Sequence, residues 1–201
     1  MKLKSLTPKA GLLAVLCLMG TTAFAQNTKT VEFGITTVKL SSTFTGALGS
    51  LGVTPGVVSP TRLSKGTVSF PVIGGAIDLD TASGNVLHSG GLTLTAGGIE
   101  TRLQSFIIDT TTSGAPVITG LVIAGNKLVG RVPLFNLTLP AGFSLPISAE
   151  HGLVLSLQGV DVTLTSQAAG ALNGVYSVTA FTEGLNIGTA DVYALLSIRN
   201  Q

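Results

Sequence analysis

The sequence predicts an all-β fold: a single-domain antiparallel sandwich or partly open barrel with one or two short helices. Three observations carry this. Runs rich in Val, Ile, Leu, Thr and Phe recur along most of the 201 residues. Each run is bounded by Gly, Pro, Ser or Asn, the punctuation of short strands joined by turns. No segment after the first 25 residues carries a long helical apolar period, and none reads as a linker that would split the chain.

The first element is not part of the fold. Lys2, Lys4 and Lys9 precede the apolar run "GLLAVLCLMG", and Ala23 and Ala25 supply the small residues that signal peptidase requires. Residues 1–25 are therefore expected to be an export signal, with the mature single domain spanning residues 26–201 and beginning at Gln26. Cys17 lies within the apolar run, and "AVLC" lacks the small residue that a lipoprotein signal places before its cysteine. Once the signal is removed, three of the eleven basic residues go with it, so that eight face nine acidic ones. The mature chain is then near neutral and cysteine-free, and its core must hold it without disulfides.

The strands follow in order as "TVEFGITTVKL", "GTVSFPVI", "AIDLD", "NVLHSGGLTLTA", "ETRLQSFIIDT", "PVITGLVIAG", "KLVGRVPLFNLTL", "HGLVLSLQGVDVTLT" and "TADVYALLSI". Their alternating or continuous apolar positions predict a core containing Phe70, Ile73, Ile107, Leu121, Ile123, Leu134, Leu137, Val160, Val162 and Leu164. Two stretches read as helix. "SSTFTGALGSLG" has roughly helical spacing weakened by three glycines. "TSQAAGALNG" has Thr165 or Ser166 as N-cap and Gly174, after Asn173, as a left-handed C-terminal cap. "TTTSGAP" (110–116) and "LPAGFSLPISAEHG" (139–152) read as loops. Asn136 opens a glycosylation sequon, but in a strand-like apolar context.

Reactive side chains concentrate in "GGAIDLDTASGNVLHSGGLTL" (74–94), which holds Asp78, Asp80 and His88. The alternation of Asp78 and Asp80 with Ile77 and Leu79 places both carboxylates on one face of a strand. A calcium loop would need an oxygen ligand where Ala82 stands and a later carboxylate that does not come before Glu100. The stretch therefore reads as a β-hairpin: "AIDLD" and "NVLHSGGLTL" are its arms, Thr81 to Gly84 its turn, and Asp80 the acceptor of turn amides. On this reading Asp78→Asn and His88→Ala change little beyond surface charge. If the cluster has a function, Asp78, Asp80 and His88 are the ligand-binding candidates.

Function classes narrow accordingly. With no basic stripe, two tyrosines and no tryptophan, the mature chain does not look like a nucleic-acid binder. It offers no nucleophile elbow, CxxC, phosphate loop or dinucleotide fingerprint, and two scattered histidines supply neither a metal site nor a catalytic triad. Only 5 % of residues are aromatic and the chain ends "SIRNQ", which does not match the girdles of an outer-membrane barrel. The expectation is an exported, non-enzymatic binding or structural module, in the periplasm, at the cell surface or secreted. Its partner in the envelope or outside the cell is unknown, no transmembrane segment remains after signal cleavage, and no cofactor or metal is required.

The stretch "GTVSFPVIGGAIDLDTASGNVLHSGGLTLTAGG" resembles the central part of HtaA-type domains, secreted or surface β domains of Gram-positive bacteria. The later "VTLTSQAAGALNGVYSVTAF" looks like the threonine-capped, alanine-rich segment of secreted proteins of this general kind. The resemblance covers about half of the mature chain. It implies haem binding through a tyrosine in the N-terminal part of the domain, assisted by a nearby histidine. The corresponding segment here, "VEFGITTVKLSSTFTG", contains no tyrosine, so no axial ligand carries over. Carriage of haem or another apolar small molecule is thus the alternative to the interaction module.

Overall fold

The computed structural model describes residues 27–111, 115–145, 147–151 and 154–197. The export signal, Cys17 and the expected cleavage point lie outside these residues. Strands β1 (Thr28–Leu40), β2 (Thr54–Val58), β3 (Arg62–Ser64), β4 (Thr67–Asp78), β5 (Gly84–His88), β6 (Gly91–Ala96), β7 (Ile99–Asp109), β8 (Val117–Ala124), β9 (Lys127–Thr138), β10 (Ala149–Glu150), β11 (Val154–Leu164) and β12 (Asn186–Leu196) form one antiparallel sheet. Helix α1 (Ser42–Ser50) follows β1, and α2 (Ser166–Tyr176) follows β11. No helix among the described residues is long and apolar enough to cross a membrane.

Eight strands close on themselves. The order β7-β5-β4-β1-β12-β11-β9-β8 is completed by pairing between β8 and β7, so the sheet is a closed barrel rather than a sandwich. β6 continues the line of β5 and adds β2 at its outer edge. The expected second hairpin arm, "NVLHSGGLTL", is therefore two strands. It breaks at Ser89–Gly90, where Gly90 takes φ 80°, a conformation glycine adopts without steric cost. Opposite it, Ser105 with φ 54° interrupts β7 and donates its N–H to Gly90 O. β7 accordingly pairs with β6 through Ile99 to Gln104 and with β5 through Ile107 to Asp109.

One face of each strand fills the interior. Phe70, Leu134, Leu137, Val160, Val162 and Leu164 are buried as expected. Ile73 is not: it is 58 % exposed, because a bulge between Val72 and Gly74 turns it outward. Ile107, Leu121 and Ile123 are half-buried on the outer face, with Phe106 and Val122 taking the interior positions. In each case the continuous apolar run left the phase of the strand open.

The helices cover one end of the barrel, where Phe44, Leu48, Ala168, Ala169 and Leu172 join the main core. Ser41 caps α1 by accepting from Phe44 N at 3.0 Å. Thr165 caps α2, accepting from Ala168 N at 3.1 Å while donating its hydroxyl to Pro133 O. The left-handed C-terminal cap falls on Ser177 (φ 53°), not Gly174, because Asn173 stays helical and its amide group ties down Phe181.

Candidate functional site

Asp78, Asp80 and His88 do not form a cluster. Asp78 ends β4, and its Oδ1 accepts from Asp80 N (3.0 Å), Thr81 N (2.9 Å) and the Thr81 hydroxyl (2.9 Å). The turn acceptor is therefore Asp78, not Asp80. The hydrogen bonds from Thr81 hold the Asp78 carboxyl below the usual aspartate range. Asp78 shows only 9 % of its surface, yet its carboxylate lies at the barrel rim, where loss of solvent offsets those bonds only in part. Asp80 lies beyond the strand, exposed, and meets Asn27 Nδ2 at 3.4 Å. The two carboxylates thus do not share a strand face.

His88 pairs with Val72, six positions back along β4 from Asp78. At about 3.3 Å per residue that is roughly 20 Å along the strand. Among the described residues no group of three His, Cys, Asp or Glu side chains could hold a metal ion. His88 is 5 % exposed and points into the barrel, so His88→Ala would alter the interior rather than only the surface charge as expected. Its Nε2 lies 2.7 Å from the hydroxyl of Thr36. Its Nδ1 makes no hydrogen bond of ordinary geometry, although the backbone of Phe106 and Val86 lies close enough to favour the charged ring. Burial prevails and brings the imidazole down to about 4, so His88 is neutral near pH 7.

The interior around His88 carries the chemistry. Thr36 and Val38 of β1, Phe70 of β4, Phe106 and Ile108 of β7, Ile118 of β8, Phe135 and Leu137 of β9, Leu157 and Val160 of β11, and Ala190 and Val192 of β12 line a lumen of about 90 Å³. Phe106 stacks edge-on against Phe70 (5.3 Å between centroids) and tilts against Phe135 (6.3 Å). An eight-stranded barrel is just wide enough for its side chains to fill it or to enclose one small ligand.

At the end away from the helices the lumen meets a wider mouth of about 300 Å³. Ile108, Thr110, Pro116, Leu139, Leu157 and Val192 line both spaces, so the two adjoin. Leu139, Phe143, Leu145 and Ile147, from the connection between β9 and β10, form one wall of the mouth. The Ile147 N–H donates to Leu79 O and pins that wall to the β4–β5 turn. This cavity is absent from the sequence reading because it exists only where the inward positions of all eight strands meet.

No family model matches the chain, and no curated protein matches it. Among solved structures, the C-terminal domain of HtaA from Corynebacterium glutamicum superposes with a TM-score of 0.63 at 17 % identity, covering 84 % of this chain and 99 % of that one. This chain has an HtaA-like fold. A domain-swapped dimer of a histidine-to-alanine variant of the same HtaA domain is similar at a TM-score of 0.55 and 16 % identity, covering 78 % and 92 % of the two chains. HtaB from the same organism, a haem-binding protein, is similar at 0.52 and 10 % identity, covering 85 % and 95 %.

A haem requires an axial side chain such as His, Tyr, Cys or Met. None faces the mouth among the described residues of this HtaA-like barrel. His88 is inside the lumen with Nε2 against Thr36, the Tyr176 hydroxyl donates to Leu94 O, Tyr193 is exposed on the outer face and His151 is exposed after β10. Among the described residues, His88 is thus the one side chain of these types that lines the cavity, and it lies in the lumen rather than at the mouth.

Proposed function

We propose that this chain is an exported, non-enzymatic binding protein that carries an apolar small molecule inside its barrel, entering through the mouth at the β4–β5 turn. The observation that supports it is the pair of adjoining cavities to which all eight barrel strands contribute apolar side chains. Most ligand sites have this form, concave and apolar with few polar groups. The likeness to HtaB supports a binding role in general.

Titration with the uncharged fluorophore N-phenyl-1-naphthylamine tests the reading. Saturable enhancement with one site per chain is expected, reduced by Ala190→Leu, which fills the lumen, while thermal unfolding shows that variant to be folded. No enhancement with the native protein overturns the proposal. Haemin in the same assay, read by its Soret band, separates haem from other apolar ligands.

A second reading, an interaction module of the envelope, has its own support. Phe33 (62 % exposed), Ile35 and Tyr193 lie on the outer face of neighbouring strands in register, with Ile73 also exposed on β4 beside them. Probe binding that is absent in the native protein, together with self-association or partner capture lost in Phe33→Ser, would favour this reading.

A further inference from the structure

The mouth, like the lumen, is lined without charge among the described residues: its polar lining residues are Thr81, Asn85 and Thr110. The hydroxyl of Thr81 donates to Asp78, and that of Thr110 to Ala82 O and Gly84 O, so both are already committed to the turn. The charges that flank this lining on the same segments are carboxylates: Asp78 and Asp80 precede Thr81, and Asp109 precedes Thr110. Lys29 stands in register with Ile77 on the neighbouring strand, but it does not line the mouth and is itself engaged in an interaction.

Resting on the carrier reading, we infer that the ligand is a narrow, uncharged molecule, an alkyl or prenyl chain ending in a hydroxyl or carbonyl. Its chain lies in the lumen and its polar end at the mouth. Two physical arguments lead there. The mouth, at about 300 Å³, has room for a bulkier end than the adjoining lumen of about 90 Å³, whose lining is apolar apart from Thr36, His88 and Thr110. A carboxylate at the mouth would leave water with no cation among the described lining residues to meet it and with like charges on the flanking segments, which disfavours its ionised form. A neutral hydroxyl or carbonyl costs far less to desolvate than a carboxylate.

Displacement of N-phenyl-1-naphthylamine by dodecanol and by dodecanoate at pH 7.5 tests this. Dodecanol is expected to displace the probe at a concentration at least about ten-fold lower, a difference of about 1.4 kcal/mol. Leu145→Lys places a cation on an exposed part of the wall and is expected to narrow the gap by improving dodecanoate. Equal or better displacement by dodecanoate from the native protein overturns the inference and leaves the carrier reading intact. Probe binding that neither chain displaces also overturns it. Failure of the probe itself to bind overturns the carrier reading.

Discussion

His88 is a neutral imidazole in an apolar interior, and its pH behaviour follows from that position. The unfolded chain protonates it near its ordinary value of 6.5, whereas the folded chain resists until about 4. Stability is then full above pH 6.5, falls as the pH drops from 6.5 to 4, and loses nothing further from this group below that. At about 1.4 kcal/mol per pKa unit the loss is on the order of 3 kcal/mol. Asp78 and Asp109, both held below the usual aspartate range, contribute stability that is lost mainly as the pH falls through and below that range. Urea midpoints at pH 7.0, 5.5 and 4.5 should therefore decline, and His88→Gln should flatten the decline; a level profile in the native protein would contradict the burial. At the rim, Asp78→Asn should lower the melting temperature because three donors converge on Oδ1, whereas Asp80→Asn should leave it unchanged. Equal effects would mean that the turn does not depend on Asp78.

At the scale of elements, the β4–β5 hairpin depends on a glycine for reasons of space. A Cβ at Gly84 would run into Ala76 O and the Ile77 Cα of the paired strand. Gly84→Val is thus expected to cost more than an ordinary surface change, seen as loss of the cooperative thermal transition or a clearly lower midpoint. α2 gives a milder test. Thr165→Ala removes the cap on Ala168 N and is expected to cost about 1 kcal/mol, within roughly 0.5–2; no change in urea midpoint would show the cap to be redundant. The existence of the hairpin and this cap were legible in sequence because both depend on residues within a few positions of each other, although the connection runs over 79–83 rather than 81–84 and its acceptor is Asp78. β2 and β3 were not: "TPGVV" and "RLS" have no apolar alternation of their own, and pairing with β6 and β4 makes them strands.

For the whole molecule, Phe106 links lumen to stability. It stacks on Phe70 and Phe135, so Phe106→Ala should cost about 3–5 kcal/mol while enlarging the space available to a ligand. Calorimetry with and without dodecanol checks both: a ligand that binds only the native state raises the midpoint, and more so where the cavity has grown. The sequence by itself determined the strand-rich class, most strand positions, the cap of α2 and six of the ten core positions expected from it, because these rest on local alternation and turn chemistry. It did not determine which face of a continuous run such as "SFIIDT" or "GLVIAG" turns inward, since a slip of one residue exchanges the faces without altering composition. Nor could it place His88 inside and Asp80 outside. Those assignments depended on bulges at Val72/Gly74 and Ser105 and on β8 closing against β7, contacts between residues far apart in the chain whose energy no local pattern records.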